Sequence, residues 1–64
     1  MQGTELREKT TEELEALLKE LRAKLVNLKF QLAVGKLTDH TAITKTKRDI
    51  ARVLTVLRER GIKL

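Results

Sequence analysis

Residues Lys45–Arg60 read KTKRDIARVLTVLRER, and this stretch decides the fold of the 64-residue chain. An α-helix advances about 100° per residue, so residues three or four apart share one side. If the helix begins about one turn earlier, one side of it carries Ile43, Thr46, Ile50, Val53 and Leu57, which are spaced 3, 4, 3 and 4 residues apart. The opposite side carries Lys45, Arg48 and Arg52, with Thr41, Thr55 and Glu59. The stretch therefore predicts an amphipathic helix with one buried face and one basic face.

A leucine pattern earlier in the chain supplies the surface against which this helix can pack. It consists of Leu14, Leu18, Leu21, Leu25, Leu28 and Leu32, widened by Leu17. Such a heptad seam is typical of a helix that lies along another helix. Thr10 and Glu13 have the spacing of a capping box, which marks the helix start, and Gly35 can adopt the left-handed conformation that ends a helix.

A short connection between two long helices makes them antiparallel neighbours. Asp39 or Thr38 can cap the second helix, Gly61 can end it, and Leu6 can fold the N-terminus back as a lid, unless that terminus is frayed. The prediction is an all-α fold, a long antiparallel two-helix hairpin with a short N-terminal helical turn. Residues 1–64 form a single domain, divided into lid 1–9, first helix 10–34, turn 35–39, second helix 40–60 and tail 61–64.

Composition argues against several classes of protein. The chain has no cysteine, His40 is its one histidine, and it contains no Gly-rich phosphate loop. A two-helix hairpin has no interior that could desolvate an acid–base pair. We therefore expect no enzyme, no catalytic residue, no cofactor and no metal site. No apolar run reaches the roughly 18 residues of a membrane span, and a soluble, intracellular protein is expected.

The net charge of +5 comes entirely from the last third of the chain. Residues 1–43 contain seven basic and seven acidic residues, whereas residues 44–64 contain seven basic and two acidic ones. This asymmetry favours a polyanion as partner, nucleic acid ahead of a membrane surface, over a merely solvated cationic face. The candidate RNA-binding residues are Lys45, Lys47, Arg48, Arg52, Arg58 and Arg60. Phe30 is the one aromatic residue, so a stacking platform for single strands is not available.

A second apolar stripe lies off the leucine seam of the first helix. It comprises Ala23, Val26, Phe30 and Ala33, with Val34 adjacent. A two-helix hairpin has no obvious way to cover both rows, and we expect Val26, Phe30 and Ala33 to form a protein-docking surface. The alternatives are that the N-terminal lid covers Phe30 or that one exposed aromatic side chain has no function.

Three segments resemble one known family. They read TELREKTTEELEALLKEL (Thr4–Leu21), LVNLKFQLAVGKL (Leu25–Leu37) and KRDIARVLTVLRER (Lys47–Arg60). In order and spacing they resemble the family of the bacterial large-subunit ribosomal protein number twenty-nine, whose eukaryotic relative carries the number thirty-five. The chain departs from that family at Asp39-His40, where Asn-Pro is frequent, and at several basic positions that are neutral here: Ala42, Thr44 and Leu54.

The resemblance implies a structural constituent of the large ribosomal subunit that binds large-subunit ribosomal RNA. It also implies a site near the peptide exit tunnel beside ribosomal protein number twenty-three, where trigger factor and the signal recognition particle are received. The two helices share a single apolar seam, so we expect the hairpin to be completed by a partner. Off the ribosome we expect a monomer. One alternative is a homodimeric four-helix-bundle regulator that binds RNA or DNA, with the second apolar stripe as the dimer face. Another is a protein-docking adaptor without nucleic acid.

Overall fold

The computed structural model describes residues 3–37 and 39–62, which form three α-helices. Helix α1 spans Gly3–Arg7, α2 spans Thr11–Ala33 and α3 spans Thr41–Glu59. Helices α2 and α3 pack along each other, and α1 packs against α3. The predicted all-α hairpin with a short N-terminal helix is confirmed. Some residues of the predicted lid, turn and tail lie outside the described residues: Met1, Gln2, Thr38, Lys63 and Leu64.

The start of α2 is fixed by the predicted capping box. The Glu13 backbone N–H donates to the Thr10 hydroxyl at 3.1 Å, and the Thr10 backbone N–H donates to the Glu13 carboxylate at 3.1 Å. These bonds satisfy donors that a helix start otherwise leaves unpaired. The bond from the Thr10 backbone also lowers the pKa of the exposed Glu13 carboxyl, because it stabilises the ionised form.

Both long helices end in a Schellman motif at a glycine. Gly35 has φ 78° and Gly61 has φ 79°, the left-handed region that side chains disfavour. After α2, the Lys36 N–H donates to the Gln31 carbonyl at 2.9 Å; after α3, the Ile62 N–H donates to the Leu57 carbonyl at 3.0 Å. These six-to-one bonds close the last turn of each helix, so both predicted glycine stops are confirmed.

Asp39 anchors the start of α3. Its Oδ1 accepts hydrogen bonds from the Thr41 backbone N–H at 2.9 Å and from the Thr41 hydroxyl at 2.6 Å. These two bonds hold the pKa of the Asp39 carboxyl below its usual value, the hydroxyl making the larger contribution. The N-cap position of α3 is His40, but its side chain makes no capping bond. The capping carboxylate comes instead from Asp39, one residue earlier.

The hydrophobic core lies at the end of the hairpin where the three helices meet. Its buried members are Leu6, Leu14, Leu18, Leu21, Val53, Val56 and Leu57. Toward the turn the leucine row of α2 continues with Leu25, Leu28 and Leu32, which are half-buried. The leucine row of α2 is therefore fully buried only in the first half of the helix. Within the described residues, no helix combines the length and the hydropathy needed to cross a membrane.

The buried face of α3 is rotated from the predicted one. The buried residues of α3 are Ile43, Thr46, Asp49, Val53, Val56 and Leu57. On a helical wheel their mean direction lies about 50° from Ile50, which is only half-buried. Val56 accounts for part of this rotation, because it joins Leu6 in the core on the side where α1 packs.

Candidate nucleic-acid interface

A shallow groove of about 680 Å³ runs along the first three turns of α3. Its lining consists of Asp39, His40, Thr41, Thr44, Lys45, Arg48, Asp49 and Arg52. The helix places these side chains together because positions three and four apart share one face. Lys45, Arg48 and Arg52 are exposed on it, so the groove presents cationic and hydroxyl donors along about 10 Å of helix axis.

All six predicted RNA-binding cations are exposed, but only three of them line this groove. Lys47 and Arg58 lie on the flank of α3 away from Asp49. Among the described residues, Lys45, Lys47, Arg48 and Arg58 make no hydrogen bond or ion pair, so their charged heads point into solvent. The RNA-binding role of these residues stays a prediction.

Arg60 has a different environment from the other five. Its guanidinium donates to the backbone carbonyls of Arg7 at 3.0 Å and Lys9 at 2.6 Å, and to the Thr11 hydroxyl at 3.3 Å. Nearby, the Arg7 guanidinium contacts the Glu59 carboxylate at 3.2 Å. Arg60 therefore fastens the lid to the end of α3, a structural role that the sequence reasoning missed. The unpaired carbonyls after a five-residue helix were the available signal for it.

One acidic side chain shares the groove with the cations. The Asp49 carboxylate accepts a hydrogen bond from Arg52 Nη1 at 3.4 Å, and the two residues are three apart on the helix. Asp49 is 8% exposed, whereas the Arg52 side chain is 50% exposed. In the sequence, Asp49 is simply one of the two acidic residues between residues 44 and 64.

The second apolar stripe is open to solvent. Val26 is 69% exposed and Phe30 is 64% exposed, and Ala23, Ala33 and Val34 are exposed beside them. These residues lie on the side of α2 opposite the leucine row. Helix α1 packs against α3 at the far end of the hairpin, so the alternative in which the lid covers Phe30 is wrong. The predicted docking surface is accessible, and its occupant is not defined by the fold.

Comparison of the chain with known proteins identifies its family. The family model described as Ribosomal L29 protein matches residues 4–60. The chain belongs to this family. The resemblance drawn from Thr4–Leu21, Leu25–Leu37 and Lys47–Arg60 is thereby confirmed, and the match runs through all three helices of this Ribosomal L29 family member.

Relatives named "Large ribosomal subunit protein uL29" match nearly the whole chain. The protein of that name from Coprothermobacter proteolyticus is 98% identical over 64 residues, covering 100% of both chains. The one from Thermosipho melanesiensis is 55% identical over 62 residues, 97% of this chain and 94% of its own. The one from Persephonella marina is 57% identical over 62 residues, 97% of this chain and 91% of its own.

Proposed function

We propose that this chain is a structural constituent of the large ribosomal subunit and binds large-subunit ribosomal RNA through the basic face of α3. One observation carries the proposal: Lys45, Arg48 and Arg52 open onto a single groove in the segment that holds the whole net charge. Cations at this spacing suit a phosphate backbone, which supplies most of the affinity in such complexes. The names of the relatives and the family membership support the ribosomal setting.

The preferred RNA element is a base-paired segment read through its backbone. The groove lining contains no phenylalanine, tyrosine or tryptophan, and Phe30 lies on the other long helix. Recognition of unpaired bases relies on aromatic stacking, whereas double-stranded RNA is recognised through shape, phosphates and ribose hydroxyls. The Thr44 hydroxyl and the three cations are donors of the kind that the second mode needs.

The ribosomal neighbourhood is proposed from the family resemblance. We place the chain near the peptide exit tunnel in the cytoplasm, beside ribosomal protein number twenty-three, where trigger factor and the signal recognition particle bind. The exposed surface of Val26, Phe30 and Ala33 supports contact with a protein neighbour, because an uncovered row of this kind marks interaction sites on small proteins. The role is structural rather than catalytic.

The salt dependence of RNA binding tests the groove. Each phosphate contact adds about 0.7 to 0.9 to the slope of log affinity against log salt. The double variant Arg48→Ala/Arg52→Ala is expected to flatten that slope by about one to two units on large-subunit rRNA. The matched control is Lys19→Ala/Lys24→Ala, which removes two exposed cations from α2. Equal slopes for the two double variants would contradict the assignment.

The exposed apolar stripe also favours a second candidate, a homodimer that pairs two hairpins into a four-helix bundle and regulates by binding RNA or DNA. In that bundle Val26, Phe30 and Ala33 form the dimer face. Sedimentation equilibrium at micromolar concentration separates the candidates: the ribosomal proposal expects a monomer off the ribosome. Wild-type dimers that Phe30→Asp converts to monomers would favour the bundle.

A further inference from the structure

A carboxylate lies in the wall of the basic groove, where it opposes the charge of the surface. Asp49 is the one charged residue that is buried in the described part of the chain. Burial of an ionised carboxyl costs free energy unless it is paired, and a negative charge in a phosphate-binding groove repels the ligand. Both costs are offset only if the carboxylate acts on the neighbouring cations.

The contact with Arg52 identifies that action. Arg52 Nη1 donates to Asp49 Oδ1 at 3.4 Å from one turn further along the same face of α3. The Asp49 side chain is 11% exposed and is therefore held in place by its surroundings, whereas the Arg52 side chain is 50% exposed and reaches the groove. A carboxylate held in this way restricts the rotamers of the long Arg52 side chain that contacts it.

Fold stability does not account for this pair. An ion pair with one half-exposed partner contributes little to stability, and an apolar side chain at the same position would avoid the cost of burying a charge. Orientation of a binding group is a different matter, since a side chain ordered before binding loses less entropy when the ligand arrives. The geometry thus suits a role in binding better than a role in folding.

We propose that Asp49 is a positioning residue for RNA binding: its carboxylate orients the Arg52 guanidinium toward a phosphate in the groove of α3. This inference rests on the RNA binding proposed above. Its consequence for RNA affinity is the opposite of what charge attraction alone predicts. Removal of a negative charge from the basic groove weakens RNA binding, although the net charge of the protein becomes more positive.

The experiment measures binding of the full chain to deproteinised bacterial large-subunit rRNA, at fixed salt and with excess transfer RNA as competitor. Asp49→Asn is expected to bind about threefold to tenfold more weakly, the range for one side chain that loses its order before binding. Glu20→Gln is the matched control, since it removes one negative charge from an exposed position on α2. The control is expected to bind as well as wild type or more tightly.

A double-mutant cycle distinguishes positioning from other effects of Asp49. In the Arg52→Ala background, Asp49→Asn is expected to change affinity by less than about twofold, because the group that it positions is gone. An equal loss in both backgrounds would overturn action through Arg52. Circular dichroism melting of each variant establishes that all are folded at the assay temperature.

Arg52→Lys tests the same point in a chain that keeps Asp49. Lysine keeps the charge but replaces the planar fork with a single ammonium group, so binding is expected to weaken about threefold to tenfold. Unchanged affinity for this variant would overturn the proposal. If wild type itself binds rRNA without salt dependence, the proposed function fails; if wild type binds and Asp49→Asn binds equally or more tightly, only the role of Asp49 fails.

Discussion

The Arg60 guanidinium and the Lys9 backbone carbonyl form a hydrogen bond of 2.6 Å between residues 51 positions apart. A second bond from the same nitrogen reaches the Arg7 carbonyl. The Arg7 carbonyl is the last of α1, where a helix has no partners of its own for its acceptors, and the Lys9 carbonyl lies two residues beyond it. The side chain that follows α3 therefore caps α1 and holds Leu6 in the core.

Replacement of Arg60 by alanine is expected to lower the free energy of unfolding by about 1–2 kcal/mol. The physical reason is the loss of charge-assisted hydrogen bonds to the two carbonyls, moderated by solvent exposure. Urea denaturation without RNA measures the change. Arg58→Ala is the control, because Arg58 is also an exposed cation near the end of α3, and it is expected to stay within about 0.5 kcal/mol of wild type. Equal losses for the two variants would contradict the capping role.

Leu6→Ala is expected to cost about 2–5 kcal/mol, the usual range for truncation of a fully buried leucine. Leu6 is 0% exposed and packs in the core with Leu14, Val56 and Leu57. A chain of this size has a total stability of only about 3–10 kcal/mol, so the loss is large. Thermal melting measures it, with the exposed Val26→Ala as control. A variant that melts like wild type would show that the lid contributes nothing to the core.

Substitution of Gly61 by alanine is expected to destabilise the protein by about 1–2 kcal/mol, although no atom lies within 4 Å of the added methyl group. The cost arises from the backbone, since φ at Gly61 is 79°. Asparagine tolerates this conformation better, so Gly61→Asn is expected to lose less. Denaturation curves of the two variants check the order, and an alanine variant as stable as the asparagine variant would contradict it.

Acid is expected to destabilise the fold through Glu13 and Asp39. Their capping hydrogen bonds lower both pKa values in the folded state, so their contribution is present above the ordinary carboxyl pKa of about 4 and is lost as pH falls through the lower folded values. Urea denaturation from about pH 7 to about pH 2 measures the effect. The double variant Glu13→Gln/Asp39→Asn is expected to show a shallower acid decline, and parallel curves would argue against these caps.

Local features of the fold could be predicted because their causes are local. The capping box needs only Thr10 and Glu13 three residues apart, and each Schellman motif needs one glycine just past a helix end. The pairing of the helices followed from matching apolar spacings and a short turn. The place of the lid could not be predicted in the same way, because one leucine in a polar segment does not specify which helix will cover it.

In the candidate site, too, the features with local causes could be predicted and those that depend on packing could not. The sequence identified the basic segment and the exposed stripe around Phe30, since charge and apolar spacing can be read position by position. It did not separate Arg60 from the other cations, because that difference depends on carbonyls about fifty positions away. It also did not identify Asp49 as buried, because its burial depends on the rotated face of α3.

The sequence by itself determined the helices, their ends, the antiparallel pairing and the location of the whole positive charge between residues 44 and 64. Neighbouring residues and helical periodicity control each of these. Tertiary structure alone decided that α1 closes the open end of the hairpin, that Arg60 fastens it and that Asp49 is buried beside the basic residues of α3. These features require contacts between distant segments, whose geometry exists only after the three helices have packed.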